Sequence, residues 1–147
     1  MRRKSSSFLR EHSLSLTLAA ILVFLFLMYR RSDPSTHLGS FYGNAIADWL
    51  GVLVFVIATK YCYEIGSGES NKPARHFHER VARLLMDHSL TLALALTGAA
   101  WVVVYLRSDA GSRWGQVVGN IVSAWVQVLG LVIITKYAWE IGSKEGH

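Results

Sequence analysis

Cysteine, proline and charge are all scarce in this chain. Cys62 is the sole cysteine among 147 residues, so no disulfide within the chain can staple the fold. Pro34 and Pro73 are the only prolines, which leaves long stretches free of helix breakers. Charged residues make up 17%, against about 25% in ordinary soluble domains, while hydrophobic residues reach 52%. A phosphate-cradling glycine loop, a nucleophile elbow and a His-Glu-x-x-His pair are all missing. With no catalytic set to assemble, the chain reads as a non-enzyme that needs no cofactor. His76-Phe77-His78 has no companion cysteine or carboxylate set and reads as solvated linker rather than a metal site.

What the chain does have is apolar length. Residues 13–29 and 89–106 contain no charge, 41–63 are interrupted only by Asp48 and Lys60, and 114–135 are again uncharged. A membrane-crossing helix needs roughly 17–25 mostly apolar residues. Four spans are therefore expected, at about 13–30, 42–63, 88–106 and 115–139. The basic start Met1-Arg2-Arg3-Lys4 would suit a signal peptide, but no small-residue cleavage site follows the first run. Gly39–Asn44 (GSFYGN) faintly resembles a potassium filter, yet the connection is too short for a pore helix and the second copy reads GQVVGN.

That second copy exists because the chain repeats itself. A shift of 76 residues superposes His12-Ser13-Leu14 on His88-Ser89-Leu90, Arg31-Ser32-Asp33 on Arg107-Ser108-Asp109, and Gly43-Asn44 on Gly119-Asn120. Trp49 meets Trp125, and Thr59-Lys60-Tyr61 meets Thr135-Lys136-Tyr137. About four in ten positions are identical, the mark of a tandem duplication. Each unit holds an even number of spans, so both enter the membrane in the same direction. The expected fold is an all-α membrane protein, a four-transmembrane-helix bundle of two parallel tandem helical hairpins related by a pseudo-two-fold. The first hairpin occupies 1–70 and the second 84–147. Residues 71–83 between them form a cytoplasmic linker or an interfacial helix, with Phe77, Val81, Leu84 and Leu85 on one face.

Basic residues set the orientation. Eleven (Arg2, Arg3, Lys4, Arg10, Lys60, Lys72, Arg75, Arg80, Arg83, Lys136, Lys144) fall on the side of the termini and linker. Four (Arg30, Arg31, Arg107, Arg113) fall at the two hairpin loops. The positive-inside rule then puts the N- and C-termini in the cytoplasm of a multi-pass cell-membrane protein. The net charge of +5 faces anionic headgroups of the lipid bilayer and gives no reason to expect nucleic acid.

Two polar groups stand out. Trp49, Val52, Leu53, Val56, Ile57, Lys60 and Glu64, identical in both copies, share a stripe roughly 140° wide, expected to be the protein-facing side. Lys60 and Glu64 are four residues apart, so Lys60 can pair with Glu64, snorkel to the headgroups or serve the helix C-terminal dipole. With His12, His88, Lys136 and Glu140, and with Glu11 and Asp87, they form a charged collar at the cytoplasmic boundary. The collar reads either as an ion-pair anchor or as a charged vestibule. Asn44, Asp48, Asn120 and Gln127 form a second polar set inside the spans, an interface or a pathway; an acid at that depth is costly unless paired, protonated or wet. Tyr29, Tyr105, Trp114 and their like suit aromatic belts, while Trp49 and Trp125 lie deep enough to pack on a neighbouring helix.

Ser13-Leu14-Ser15-Leu16, Trp49 and Gly66-Ser67-Gly68-Glu69-Ser70 together give a resemblance to a family. The chain resembles small two-repeat bacterial integral membrane proteins of unknown function. That resemblance implies a helical membrane architecture and no particular activity or ligand. The functional expectation is an oligomeric scaffold or regulatory membrane component, forming a homo-oligomer or joining another membrane protein. The alternative is a small ion or proton channel or permease, with Asn44, Asp48, Asn120 and Gln127 lining it and His12, Lys60, His88 and Lys136 gating it.

Overall fold

A computed structural model describes residues 8–70 and 79–138. Among the described residues, a short helical turn at 8–11 is followed in order by α1 (Ser13–Arg31), α2 (His37–Tyr61), α3 (Arg80–Asp87), α4 (Ser89–Arg107) and α5 (Arg113–Ile134). The described residues contain no strand. α1, α2, α4 and α5 are each long and apolar enough to cross a bilayer. At 1.5 Å per residue they run roughly 28–38 Å, which matches a hydrocarbon core of about 30 Å. The chain is an all-α, multi-pass membrane protein.

α2 begins five residues earlier than the apolar run alone would place it. Thr36 is the reason: its hydroxyl accepts the Gly39 N–H at 3.1 Å and caps the helix. Ser112 does the same for Gly115 at 3.0 Å, so α5 starts at Arg113. At its other end α5 stops at Ile134, short of the expected 139.

The central pair is α2 and α5, lying side by side and running in the same direction. Asn44 and Asn120 hydrogen-bond across it, and further along a Cβ on Gly51 would stand 3.3 Å from the Ala124 methyl. α1 packs on α2, α4 packs on α5 and touches α2, and α3 adjoins the start of α4. A ladder of small residues at four-residue spacing makes the approach to α2 possible: Gly39, Gly43, Ala47 and Gly51 are all buried. The core then fills with Leu25, Tyr29, Ile46, Val117, Ile121 and Trp125.

This corrects the expected packing face. Trp49, Val52 and Ile57 are exposed, and the glycine-alanine ladder is buried in their place. Lipid tails are as apolar as leucine, so burying large side chains gives little drive in a membrane, and close van der Waals packing made possible by small residues gains weight. Identity between the copies was a poor guide because the copies do not bury the same face. In α5 the buried positions are Gly115, Val117, Ile121, Ala124, Trp125 and Val132, only partly equivalent to those of α2.

The tryptophans show the divergence most plainly. Trp125 is 5% exposed, whereas Trp49 is 37% exposed. The Trp125 indole lies against Gly98, where a Cβ would come within 3.1 Å of its ring, and its N–H donates to the Thr97 hydroxyl at 2.9 Å. The matching positions of the first unit are Ile21 and Leu22, which offer neither the space nor the acceptor.

In the linker, α3 is a helix distinct from α4. The backbone breaks at His88 (φ −120°, ψ 16°), and His12 breaks the chain ahead of α1 with nearly the same angles (φ −116°, ψ 11°). Val81, Leu84 and Leu85 lie exposed on one face of α3. Phe77, His76 and His78 lie outside the described residues.

Candidate functional site

Three polar constellations join the hairpins, one at each end of the bundle and one midway. At the linker end, α2 finishes at Tyr61 and the chain turns extended at Cys62 (φ −114°, ψ 158°). Glu64 therefore never occupies the helical position four residues after Lys60, and of the alternatives for Lys60 a pairing with Glu64 does not form; Glu64 pairs instead with the other hairpin. Glu64, fully buried, takes Lys136 from the end of α5, the His88 Nδ1 at 2.7 Å, and the Thr91 N–H in the first turn of α4 at 3.2 Å. Nearby, the Tyr63 carbonyl accepts from Leu90, Ile65 donates to the Asp87 carbonyl, and Ser67 hydrogen-bonds Thr135. Burial alone would push the Glu64 carboxyl up; the bonds from Lys136, Thr91 and His88 outweigh it and hold the group below the usual carboxylate range. With every donor aimed at it, this carboxylate is a clasp rather than a base. Of the remaining collar residues, Lys60 reaches the His12 ring at 3.3 Å, and Glu140 lies outside the described residues.

At the hairpin-loop end a second clasp forms that sequence patterning did not signal. Tyr29, 2% exposed, donates its hydroxyl to the Arg113 carbonyl at 2.8 Å. The Arg113 guanidinium stacks 4.4 Å from the centre of the Tyr29 ring and donates to the Ser32 carbonyl at 2.8 Å, and Trp114 meets the ring edge-on. Tyr29 is thus a core residue and not a member of an interfacial belt. A Cβ on Gly43 would press within 3.1 Å of its ring, so the small residue makes the slot. Tyr29→Phe is expected to cost about 1 kcal/mol, the worth of one partly buried hydrogen bond, read as a lower melting temperature in detergent. Tyr105→Phe, at the exposed equivalent position, is expected to leave it unchanged.

The midway constellation holds the four residues singled out from the sequence. Asn44 and Asn120 meet, as noted, across α2 and α5. Asp48, Ser123 and Gln127 lie close to that pair along the same seam, and all three are exposed. None of the three forms a hydrogen bond or ion pair among the described residues. Asp48 and Gly51 of the first unit correspond to Ala124 and Gln127 of the second. In each helix the small member is buried and the polar member turned outward. The useful sequence signal was this exchange of small for polar at two positions three apart, together with the four-residue ladder.

The described residues contain no group of three or more metal-ligating side chains. Cavities between α4 and its neighbours are lined by apolar side chains such as Leu94, Val102, Val122 and Val126, or Val54, Ile57 and Ala93. A shallow polar hollow opens at the hairpin-loop end beside Asn44, Gln116 and Asn120. Comparison with protein-family models, curated proteins and solved structures finds no match. Fold and site together define a multi-pass helical membrane protein whose two hairpins are joined by polar contacts at both ends and across α2 and α5.

Proposed function

We propose that this protein is a non-enzymatic membrane scaffold or regulatory component that works through lateral helix contacts. One observation carries the reading: Asp48, Ser123 and Gln127 lie on the outer surface of the bundle, about halfway through the spans. A residue meant to conduct would face an interior passage, whereas a residue meant for a partner faces out. The buried core between α1, α2 and α5 is apolar or aromatic, which supports the same reading. The exposed apolar face of α3, with Arg80 and Arg83 beside it, suits contact with anionic headgroups, and the basic excess on that side supports a cytoplasmic placement of the linker.

Flux through proteoliposomes tests the proposal. Purified protein is expected to pass protons, potassium, sodium and chloride no faster than empty vesicles do. Flux above that background, abolished or re-selected by Asp48→Asn, would make the seam a pathway and replace the scaffold reading with a channel.

A further inference from the structure

The polar seam has the chemistry of half an interface, and we infer that its other half is a second copy of this chain. The inference rests on the scaffold reading and names its partner. Asp48 is the twelfth residue of α2, near its middle, where hydrocarbon lies on the open side. An acid there is costly unless it is paired, protonated or wet, and the described residues provide no pairing partner. Gln127 and Ser123 are exposed beside it with donors and acceptors of their own. Lipid tails satisfy none of these groups.

Depth argues for a second copy over an unrelated chain. Asn44 and Asn120 touch, so α2 and α5 are level. Counting 1.5 Å per residue from there, Asp48 lies about 6 Å deeper and Ser123 about 5 Å deeper, with Gln127 one turn further. The eleven-to-four bias of basic residues inserts every copy the same way up. Two copies are then related by a two-fold along the membrane normal, and each residue meets groups at its own depth. Turned about that axis, α2 of one copy faces α5 of the other. Asp48 comes level with Ser123 of the second copy, and the Gln127 amide of that copy reaches it from one turn away. The two acids fall on opposite sides of the axis and do not collide. Donor meets acceptor twice, by symmetry, in a patch that is otherwise unsatisfied.

Single-cysteine crosslinking tests this on the full chain, in native membranes and in vesicles of purified protein. Cys62→Ala supplies the background, Ser123→Cys reports the seam, and Leu96→Cys, exposed on α4, serves as the control. The two Ser123 positions lie diagonally across the two-fold, so a bis-maleimide that spans neighbouring helices replaces direct oxidation. It is expected to give a covalent dimer at twice the 16.4 kDa chain mass from Ser123→Cys and little from Leu96→Cys. Asp48→Leu is expected to weaken association roughly threefold to tenfold in a lipid-dilution series, and Asp48→Asn much less. No dimer from a helical, cooperatively melting Ser123→Cys protein would overturn the inference, as would equal crosslinking at both positions. An adduct of some other mass in native membranes would also overturn it, while leaving the scaffold reading intact. The scaffold reading itself fails by ion flux, a separate result.

Discussion

Replacing Lys136 with methionine is expected to destabilise the bundle by about 3 kcal/mol, because it strands a buried carboxylate. Glu64 is fully enclosed and takes Lys136 and His88 as charged or polar partners and Thr91 as a backbone donor. Methionine keeps the length and apolar stem of lysine, so the loss isolates the ammonium. Glu64→Gln removes the charge from the other side and is expected to cost less, since the amide still accepts from Thr91 and His88 without needing a counter-ion. Lys60→Met, on the helix of the first unit, is expected to change little, because Lys60 is exposed and does not touch Glu64. Thermal melting in detergent ranks the three, and a loss for Lys60→Met equal to that for Lys136→Met would refute the clasp. Acid makes the same point without mutation. The folded Glu64 carboxyl titrates below its ordinary value near 4.5, so its contribution is complete above that pH. It is lost as pH falls through the lower folded value. The melting temperature is therefore expected to drop as the pH is taken below about 4.5, and the drop should shrink in Glu64→Gln.

Gly115→Ala is expected to be the most damaging single methyl addition in the chain, costing several times the roughly 1 kcal/mol gain that alanine brings to a helix. A Cβ on Gly115 would lie 1.9 Å from the Asp109 carbonyl oxygen, and on Gly39 2.0 Å from that of Asp33. Neither neighbour can yield by a rotamer change, because both are backbone. Each carbonyl is also the acceptor for the turn, from Ser112 and its hydroxyl in one loop and from Thr36 and its hydroxyl in the other. The methyl group would pull the turn open, uncap the helix and, at Gly115, displace the Arg113 backbone on which Tyr29 depends. Gly130→Ala provides the contrast: nothing lies within 4 Å of its Cβ position, so helix propensity should make that change neutral or mildly stabilising. Melting curves of the two variants decide it, and an unchanged Gly115→Ala would refute the tight turn.

The two clasps differ in how far the sequence reveals them. Lys136, His88 and Glu64 were all marked as boundary residues, since charge beside an apolar run needs a reason. Their pairing was not legible, because it depends on α2 ending at Tyr61 and on the chain turning under α5. A heptad or i, i+4 rule assumes the helix continues, and here Gly66 (φ 79°) and the extended Cys62 forbid it. Tyr29 and Arg113 gave less warning still. A tyrosine and an arginine at the end of a span look like ordinary boundary residues, and only the approach of α5 to α1 turns them into a buried stacked pair.

Four apolar runs and their lengths are properties of the chain alone, and they determined an all-helical membrane protein. Local chemistry also determined the helix starts, since Thr36 and Ser112 cap whichever helix follows them. Tertiary structure decided which face of each helix is buried. In lipid that choice turns on close fit rather than on hydrophobicity, because tails and leucines are equally apolar. It was the fit of Gly51 to Ala124, and of Trp125 into the space above Gly98, that set the rotation of α2 and α5. That rotation turned Asp48 and Gln127 outward, where a single copy of the chain leaves them without a partner.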